Sequence, residues 1–240
     1  MILVSGQSGF IGQRIGKYLD TIAIPRLHYL DSYRKLFINL QPKIIIHLAA
    51  YGNHYHQTDF YEMVKANITN TYNILEAASL FDYDKFYNIS TSSVGLSKQT
   101  FYSITKQCGE NIAKMYKNTI NVHPYSVYGE GEASHRFIPT VIRHLKSGEV
   151  MKLDEHACHD WIYVDDFIEA MLNGYTEVGT GISTTNIEIV RMLEEISGLK
   201  LSYQPALLRV YDTKDWVCPD GVPFKIDLLT GLKKVYDSIK

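Results

Sequence analysis

Apolar runs and helical periodicity alternate along the first half of the chain. Short runs of branched apolar residues predict buried strands, whereas apolar positions that recur every three or four residues predict amphipathic helices. The pattern predicts strands over 1–5, 21–25, 43–48, 85–90 and 119–127, and helices over 10–19, 62–80 and 102–116. This order is typical of an α/β fold with a Rossmann-like, doubly wound parallel sheet.

The pattern is looser in the second half of the chain. Helical spacing predicts helices over 137–146, 165–174, 186–197 and 228–239, with a short strand over 161–164. We therefore place a domain boundary after residue 130 and predict a small C-terminal α/β lobe over 131–240. Residues 159–175 are expected to return to the core sheet.

Three glycines spaced three apart lie between the first strand and the first helix. Gly6 permits a tight turn, Gly9 lets the backbone approach a pyrophosphate, and Gly12 allows the helix to pack closely on its strand. The amides that follow would face phosphates, assisted by the helix dipole. The sequence therefore predicts a dinucleotide-binding domain over 1–130 and a substrate-binding lobe over 131–240. An ordinary glycine loop is the alternative.

Tyr102 and Lys106 lie four residues apart on a predicted helix and therefore share one face. An ammonium beside a phenol favours the phenolate, so that Tyr102 can exchange a proton near neutral pH. Thr91, at the end of the preceding strand, is a candidate hydrogen-bond donor to a reacting oxygen. A surface Tyr and Lys, and a strand-end hydroxyl that caps a turn, are the alternatives.

Composition narrows the function classes. The 240 residues carry a net charge of −2, which gives no electrostatic case for nucleic acid or a membrane surface as partner. No apolar run approaches the roughly 20 residues of a membrane span. Three widely spaced cysteines favour a reducing, cytoplasmic setting. His156, Cys158 and His159 lack the spacing of a structural zinc site, so we predict no metal.

Further motifs extend the pattern over nearly the whole chain: His47-Leu-Ala-Ala50, Asn67-Ile-Thr-Asn-Thr71, Ser126-Val-Tyr-Gly129, His159-Asp-Trp-Ile-Tyr-Val-Asp-Asp166 and Gly179-Thr-Gly181. Together with the glycine turn and Tyr-x-x-x-Lys, they resemble the extended short-chain dehydrogenase/reductase superfamily. Within it, the chain is similar to the NAD-dependent epimerase/dehydratase family, which acts on nucleotide sugars.

The resemblance implies an NAD(P)-dependent nucleotide-sugar epimerase or 4-ketoreductase, and a homodimer that pairs through the helices at 62–80 and 102–116. It implies catalytic roles for Thr91, Tyr102 and Lys106. The cofactor-binding residues that it implies are Gly6, Ser8, Gly9, Phe10, Ile11, Gly12, Arg26, Asp31, Leu48, Ala49, Ala50, Asn67, Ser90, Tyr102, Lys106 and Tyr125. The substrate-binding residues that it implies are Ser92, Ser126, Arg136 and His159.

Departures from the family pattern affect the substrate expectation. His123 and His159 stand where members often carry Arg, and Ser126 stands where they often carry Asn. An imidazole brings no fixed charge to a substrate diphosphate, so Arg136 or Arg143 would have to compensate. Sugar 4,6-dehydratases place Asp-Glu after the catalytic Thr. Here Ser92 and Ser93 hold those positions, which disfavours dehydration.

The second predicted strand, 21–25, ends without an acidic residue. Such an acid would bind the ribose hydroxyl of NAD, whereas Arg26 can meet a 2′-phosphate, which favours NADP over NAD. Asp31 falls where short nucleotide-sugar ketoreductases have an Asp that contacts adenine. Two other functions stay open: a redox enzyme acting on another small carbonyl, and a dinucleotide-binding protein without catalysis.

Overall fold

Five parallel strands form the core of the first half of the chain in the computed structural model. They are β1 Ile2–Ser5, β2 Thr21–Ile24, β3 Ile44–His47, β4 Lys85–Ile89 and β5 Thr119–Pro124. They lie in the order β2-β1-β3-β4-β5, with every neighbouring pair parallel. Their carboxyl ends therefore meet at one edge, where ligands bind in doubly wound sheets. The predicted α/β fold with a parallel sheet is confirmed.

The structure describes residues 1–207 and 216–239, and the chain divides into two compact units, Met1–His123 and Pro124–Lys240. The helices of the first unit are α1 Phe10–Tyr18, α2 Leu30–Leu40, α3 Phe60–Val64, α4 Asn70–Ala78 and α5 Phe101–Ala113. Leu3, Ile45 and Phe86 from the strands pack with Phe37 of α2 and Leu75 of α4 in a buried apolar core. None of the described helices is long and apolar enough to cross a membrane.

The segment predicted as one helix over 62–80 has three parts. Asp59 begins α3 by accepting hydrogen bonds from the Tyr61 and Glu62 amides, at 2.9 and 3.1 Å. A π-helical turn, Lys65–Thr69, joins α3 to α4. A Cβ on Gly109 of α5 would lie 2.6 Å from the Asn67 carbonyl oxygen in this turn. Glycine there allows α5 to approach the π turn closely.

The second unit contains two small sheets and four helices among its described residues. Its strands are β6 Ser126–Tyr128, β7 Met151–Leu153, β8 Cys158–Tyr163, β9 Glu177–Val178, β10 Ser183–Thr185 and β11 Tyr203–Pro205. Its helices are α6 Phe137–Ser147, α7 Val164–Leu172, α8 Asn186–Ser197 and α9 Leu228–Ser238. One sheet has the order β10-β8-β6, and the other pairs β7 with β11.

The expected return of residues 159–175 to the core sheet is wrong for β8. This strand pairs in parallel with β6 and antiparallel with β10, so neighbours from the second unit occupy both of its edges. Aromatic side chains secure this sheet: the Tyr128 ring meets Trp161 at 6.1 Å and Tyr163 at 5.7 Å, both edge to face. A Cβ on Gly231 would lie 2.1 Å from the Tyr128 hydroxyl, so α9 also packs closely there.

Candidate active site

The glycine turn between β1 and α1 is so tightly packed that added side-chain atoms would collide with the backbone. Gly6 has φ +73°, and a Cβ there would lie 2.8 Å from the Ala49 amide nitrogen. A Cβ on Gly12 would lie 2.4 Å from the Gly6 carbonyl oxygen. Gly9 precedes α1 without a side-chain cap, which leaves the first-turn amides open to an anion. This geometry fits the pyrophosphate of a dinucleotide. Ser8, Phe10 and Ile11 lie in the same turn.

A directed chain of hydrogen bonds fixes the end of β3. Thr71 Oγ1 donates to the Asn67 carbonyl at 2.8 Å and lies 3.0 Å from His47 Nε2, which therefore donates to it. His47 Nδ1 then accepts from Ser5 Oγ at 2.6 Å, and Ser5 Oγ accepts from the Ala49 amide at 3.2 Å. Burial, with a smaller contribution from the Lys106 charge, lowers the pKa of His47 to about 3. His47 is a neutral support for Leu48, Ala49 and Ala50.

Asn67 is buried and engaged on both sides of its amide. Its Oδ1 accepts from the Tyr51 amide at 3.0 Å, and its Nδ2 donates to the Tyr51 carbonyl at 2.8 Å and to Thr105 Oγ1 at 3.0 Å. The structure thus shows Asn67 joining the loop after β3 to α5. The cofactor contact that the sequence assigns to Asn67 stays a prediction.

Helix α5 carries the Tyr102–Lys106 pair. Thr100 and Ser103 form a reciprocal capping box that fixes its first turn. Lys106 is 2% exposed, and its Nζ donates to the Ile89 carbonyl at 2.7 Å. Burial lowers the pKa of Lys106 to about 8, although Glu110 opposes this change. The helix therefore holds an ammonium against the end of β4, with Tyr102 half-buried one turn earlier.

Thr91 follows β4 directly and begins the short 3-10 helix Ser92–Gly95. Its hydroxyl accepts from the Ser93 amide at 3.2 Å and lies 3.0 Å from Ser93 Oγ. The capping role considered from the sequence is therefore present. A hydroxyl has a second lone pair and one proton, so a bond to a substrate oxygen stays compatible with this cap.

The buried Glu110 pairs with the partly buried His123, a contact that the sequence reasoning did not connect to the site. Glu110 Oε1 accepts from His123 Nε2 at 2.9 Å and also from the hydroxyl of Ser90. Burial is the largest single influence on the pKa of Glu110 and raises it, but these two bonds and the charges of His123 and Lys114 together lower the pKa below its usual value. The sequence held one indication of this residue: Glu110 lies four residues beyond Lys106, and residues four apart share a helix face.

The adenosine end of the predicted cofactor site is charged. Arg26, just beyond β2, forms an ion pair with Glu62 of α3. Asp31, in the first turn of α2, is exposed and accepts from Arg34 Nη1 at 3.3 Å. Pairs as exposed as these contribute little to stability.

The remaining predicted binding residues lie in the second unit: Tyr125, Ser126, Arg136 and His159. The His159 ring is buried beside Trp161 and Trp216, at centroid distances of 5.3 and 6.1 Å. Arg136 precedes α6 and pairs with Glu132 at 3.3 Å. Burial raises the pKa of Glu132 to about 7, against the pull of Arg136.

Asp160 organises the glycine segment of the second unit. Its Oδ1 accepts from the Thr180 amide and hydroxyl, both at 2.7 Å. Its Oδ2 accepts from the Gly181 amide at 2.9 Å and the Cys218 amide at 3.0 Å. The Asp of the His-Asp-Trp motif is therefore a structural anchor for residues 179–181. Within 1–207 and 216–239, no group of three His, Cys, Asp or Glu residues is placed to hold a metal ion.

The decisive comparison is with protein-family models. The model of the NAD dependent epimerase/dehydratase family matches residues 2–187. The chain belongs to this family. Membership makes it an enzyme of the extended short-chain dehydrogenase/reductase type, so the predicted family and enzyme class are confirmed.

Curated members of the epimerase/dehydratase family align along most of their length. The chain is 28% identical over 230 residues to CDP-abequose synthase of Salmonella typhimurium, covering 75% of each chain. It is 24% identical over 295 residues to dTDP-glucose 4,6-dehydratase 1 of Escherichia coli, covering 88% of this chain and 81% of the relative.

Solved structures share the fold of this family member. UDP-glucose 4-epimerase of Thermotoga maritima, solved with UDP-glucose, superposes with a TM-score of 0.84 at 21% identity, covering 99% of this chain and 97% of that one. RMD from Pseudomonas aeruginosa, complexed with NADPH, gives a TM-score of 0.81 at 19% identity, covering 99% and 98%. The comparisons support a nicotinamide dinucleotide as the cofactor.

Proposed function

We propose that this protein moves hydride at a carbinol or ketone carbon of a nucleotide sugar, as an NAD(P)-dependent epimerase or 4-ketoreductase. The observation that carries the proposal is the buried Lys106 ammonium, fixed on the Ile89 carbonyl one helical turn from Tyr102. The nucleotide-sugar substrate is supported by the relatives, whose names specify nucleotide sugars, and by a structural neighbour solved with UDP-glucose.

The chemistry follows from placing Lys106 beside Tyr102. A free tyrosine has a pKa of about 10, and a neighbouring ammonium favours its phenolate. With a pKa of about 8, Lys106 is mostly charged at neutral pH. Tyr102 then takes the proton from the sugar hydroxyl on oxidation or gives one to the ketone oxygen on reduction, and Thr91 hydrogen-bonds the reacting oxygen. The nicotinamide ring, when bound, accepts or supplies the hydride.

The first unit also supplies the residues that would hold the cofactor. Gly6, Gly9 and Gly12 form the tight turn that would present the first amides of α1 to its pyrophosphate, and a Cβ at each would come within 3.2 Å of backbone atoms. Ala49 would line the cofactor site just beyond β3, where the hydrogen bonds of His47 and Ser5 fix the backbone. Lys106 would also donate to the nicotinamide ribose.

A thermal-shift screen of the purified protein tests the substrate class. The panel pairs each nucleotide sugar with its free nucleotide and its free sugar and includes small carbonyl compounds that carry no nucleotide, with cofactor present throughout. A ligand at 100 times its dissociation constant stabilises by roughly 2.7 kcal/mol, so one nucleotide sugar should raise Tm well above its two halves. Stabilisation only by small carbonyl compounds without a nucleotide would favour the alternative redox enzyme.

We expect no 4,6-dehydratase activity, despite the dehydratase among the relatives. Ser92 and Ser93 hold the positions where dehydratases have Asp-Glu, and hydroxyls cannot perform carboxylate acid/base chemistry at neutral pH. The assay incubates the protein with dTDP-glucose and NAD, with the Escherichia coli relative as positive control. Formation of the 4-keto-6-deoxy product would overturn this expectation.

We expect NADPH to bind more tightly than NADH. Arg26 can exchange its exposed pair with Glu62 for a stronger bond to the 2′-phosphate. Titration of both cofactors into the protein gives the Kd for NADH divided by the Kd for NADPH, which should exceed 1. This ratio should fall towards 1 in Arg26→Ala and rise in Glu62→Gln. It should stay unchanged in Lys17→Ala, which removes an exposed charge from α1. Equal affinities in the wild type would contradict the role of Arg26.

We also propose a homodimer that pairs through α3 and α5. Phe60, Tyr61, Val64, Phe101 and Ile104 expose apolar surface there, and the Phe60 and Phe101 rings stack at 4.4 Å. A two-fold pairing would bury this patch.

The second predicted pairing helix, 102–116, exposes little apolar surface near its end. Met115 is exposed, but Ile112 and Tyr116 pack against the core, and Tyr116 donates to Glu76. The dimer proposal therefore rests on the patch nearer the start of α5.

Light scattering at micromolar concentration should give a mass near twice the chain's 27.4 kDa. Ile104→Lys should shift the mass towards the monomer, because it introduces a charge into the patch. Ile182→Lys, an exposed position in the second unit, should not. A wild-type mass near 27.4 kDa would exclude the dimer.

A further inference from the structure

Glu110 is a carboxylate buried one helical turn beyond Lys106, only 4% exposed. It accepts hydrogen bonds from Ser90 and His123, which lie just after β4 and on β5. The Ser90 amide donates to the Val122 carbonyl at 2.7 Å, so these two strand ends are themselves joined. Glu110 therefore ties α5 to the ends of both strands.

Lys106 and Glu110 engage consecutive residues of the chain. Lys106 binds the Ile89 carbonyl, and Glu110 binds the hydroxyl of Ser90. Thr91 comes next in sequence. Two side chains of one helix, four residues apart, thus fix the segment that leads into the catalytic hydroxyl.

We propose that Glu110, held by His123 and Ser90, is a positioning residue that keeps the Lys106 ammonium charged and seated at the end of β4. The role rests on the proposed function of Tyr102 and Lys106. Glu110 acts through Lys106 and is not assigned a contact with substrate or cofactor.

The charges around Lys106 define what Glu110 contributes. Burial is the larger influence on the pKa of Lys106 and lowers it, whereas the Glu110 carboxylate raises it, leaving a value of about 8. The Lys106 charge in turn acts on His47, whose pKa is lowered to about 3, so His47 is neutral and adds no charge beside Lys106. Lys114 and His123 act on Glu110 and favour its ionised form. Removing the Glu110 charge would release the Lys106 proton closer to neutral pH.

His123, the hydrogen-bond partner of Glu110, determines how strongly the Glu110 charge acts on the pKa of Lys106. An imidazole holds a carboxylate by a hydrogen bond without a permanent charge, whereas a guanidinium is always cationic. A permanent cation at position 123 would offset the Glu110 charge. His123→Arg and His123→Gln therefore form a matched pair, since both donate to Glu110 but only one is charged.

The test titrates Lys106 directly by NMR in protein carrying ¹³C-labelled lysine, with the Lys106 Cε resonance assigned from Lys106→Arg. The wild-type midpoint should lie near pH 8. Because an opposite charge nearby shifts a pKa by about 1 unit or more, Glu110→Gln should lower the midpoint by about 1 pH unit. His123→Arg should lower it by a smaller amount, and His123→Gln, which brings no cation, should not lower it.

The His123 pair keeps the proposal testable if Glu110→Gln fails to fold. Equal midpoints in the wild type, His123→Arg and His123→Gln would overturn the proposal, as would an unchanged midpoint in a folded Glu110→Gln protein. Because the titration needs no substrate, shifted midpoints in a protein that turns over no nucleotide sugar would retain the role of Glu110 and reject the proposed function.

Discussion

Replacing Tyr102 by phenylalanine is expected to lower kcat by about 10²–10⁴-fold, the range typical of a lost general acid/base. The change removes the hydroxyl that exchanges the proton and leaves the ring in the first turn of α5. The Lys106 bond to the Ile89 carbonyl does not involve Tyr102, so cofactor affinity should stay within about twofold. Single-turnover hydride transfer, followed by nicotinamide absorbance, gives the rate, and titration gives the affinity.

Tyr18→Phe is the matched control, because Tyr18 is exposed at the end of α1. It loses the same hydroxyl and should keep the wild-type rate. A Tyr102→Phe enzyme with turnover within twofold of wild type would remove Tyr102 from the chemistry.

Gly12→Ala is expected to weaken cofactor binding at least tenfold and to lower Tm. The new Cβ would lie 2.4 Å from the Gly6 carbonyl oxygen and 2.5 Å from Gln7 Cα, both backbone atoms that no rotamer change can move. The turn must shift, and overpacking of this kind typically costs about 1–3 kcal/mol. Cofactor titration and thermal unfolding measure the two effects.

Gly16→Ala, on the same face of α1, is the control. Its Cβ would first meet the end of the Gln7 side chain, at 3.3 Å, which can move away. Alanine also favours a helix over glycine by about 1 kcal/mol, so Gly16→Ala should keep affinity and hold or raise Tm. Equal behaviour of the two variants would mean that the glycine turn does not set the cofactor site.

Regular periodicity located the main elements from sequence, and local chemistry explains the departures. Helix α2 at Leu30–Leu40 was not predicted, since it follows Tyr29 without a side-chain cap. The strand predicted over 119–127 ends at Pro124, which has no amide for a ladder, and Tyr125 instead donates to the Val178 carbonyl. The π-helical turn at Lys65–Thr69 could not be predicted, because the apolar positions around it keep the spacing of a continuous α-helix.

The site was predictable where chemistry follows local spacing. Gly6 and Gly12 lie where the strand–turn–helix pattern required them, and Tyr102 and Lys106 share one helix. The Glu110–His123 bond joins a helix to a strand, and no local pattern reveals such a tertiary partner. For the same reason, the ion pair of Arg26 with Glu62 could not be foreseen.

The most direct test of the central claim adds nucleotide sugars to the protein with its oxidised cofactor and follows the absorbance of reduced nicotinamide. A ketoreductase running in reverse would leave the hydride of the sugar carbinol on the cofactor, whereas an epimerase would return it and release a sugar inverted at C4. One nucleotide sugar should therefore give reduced cofactor, or a C4 epimer detected by NMR of the sugar, in the wild type, and either product should be nearly lost in Tyr102→Phe. The account is contradicted if cofactor and nucleotide sugar both bind but neither reduced cofactor nor a C4 epimer forms, or if Tyr102→Phe forms the product at the wild-type rate.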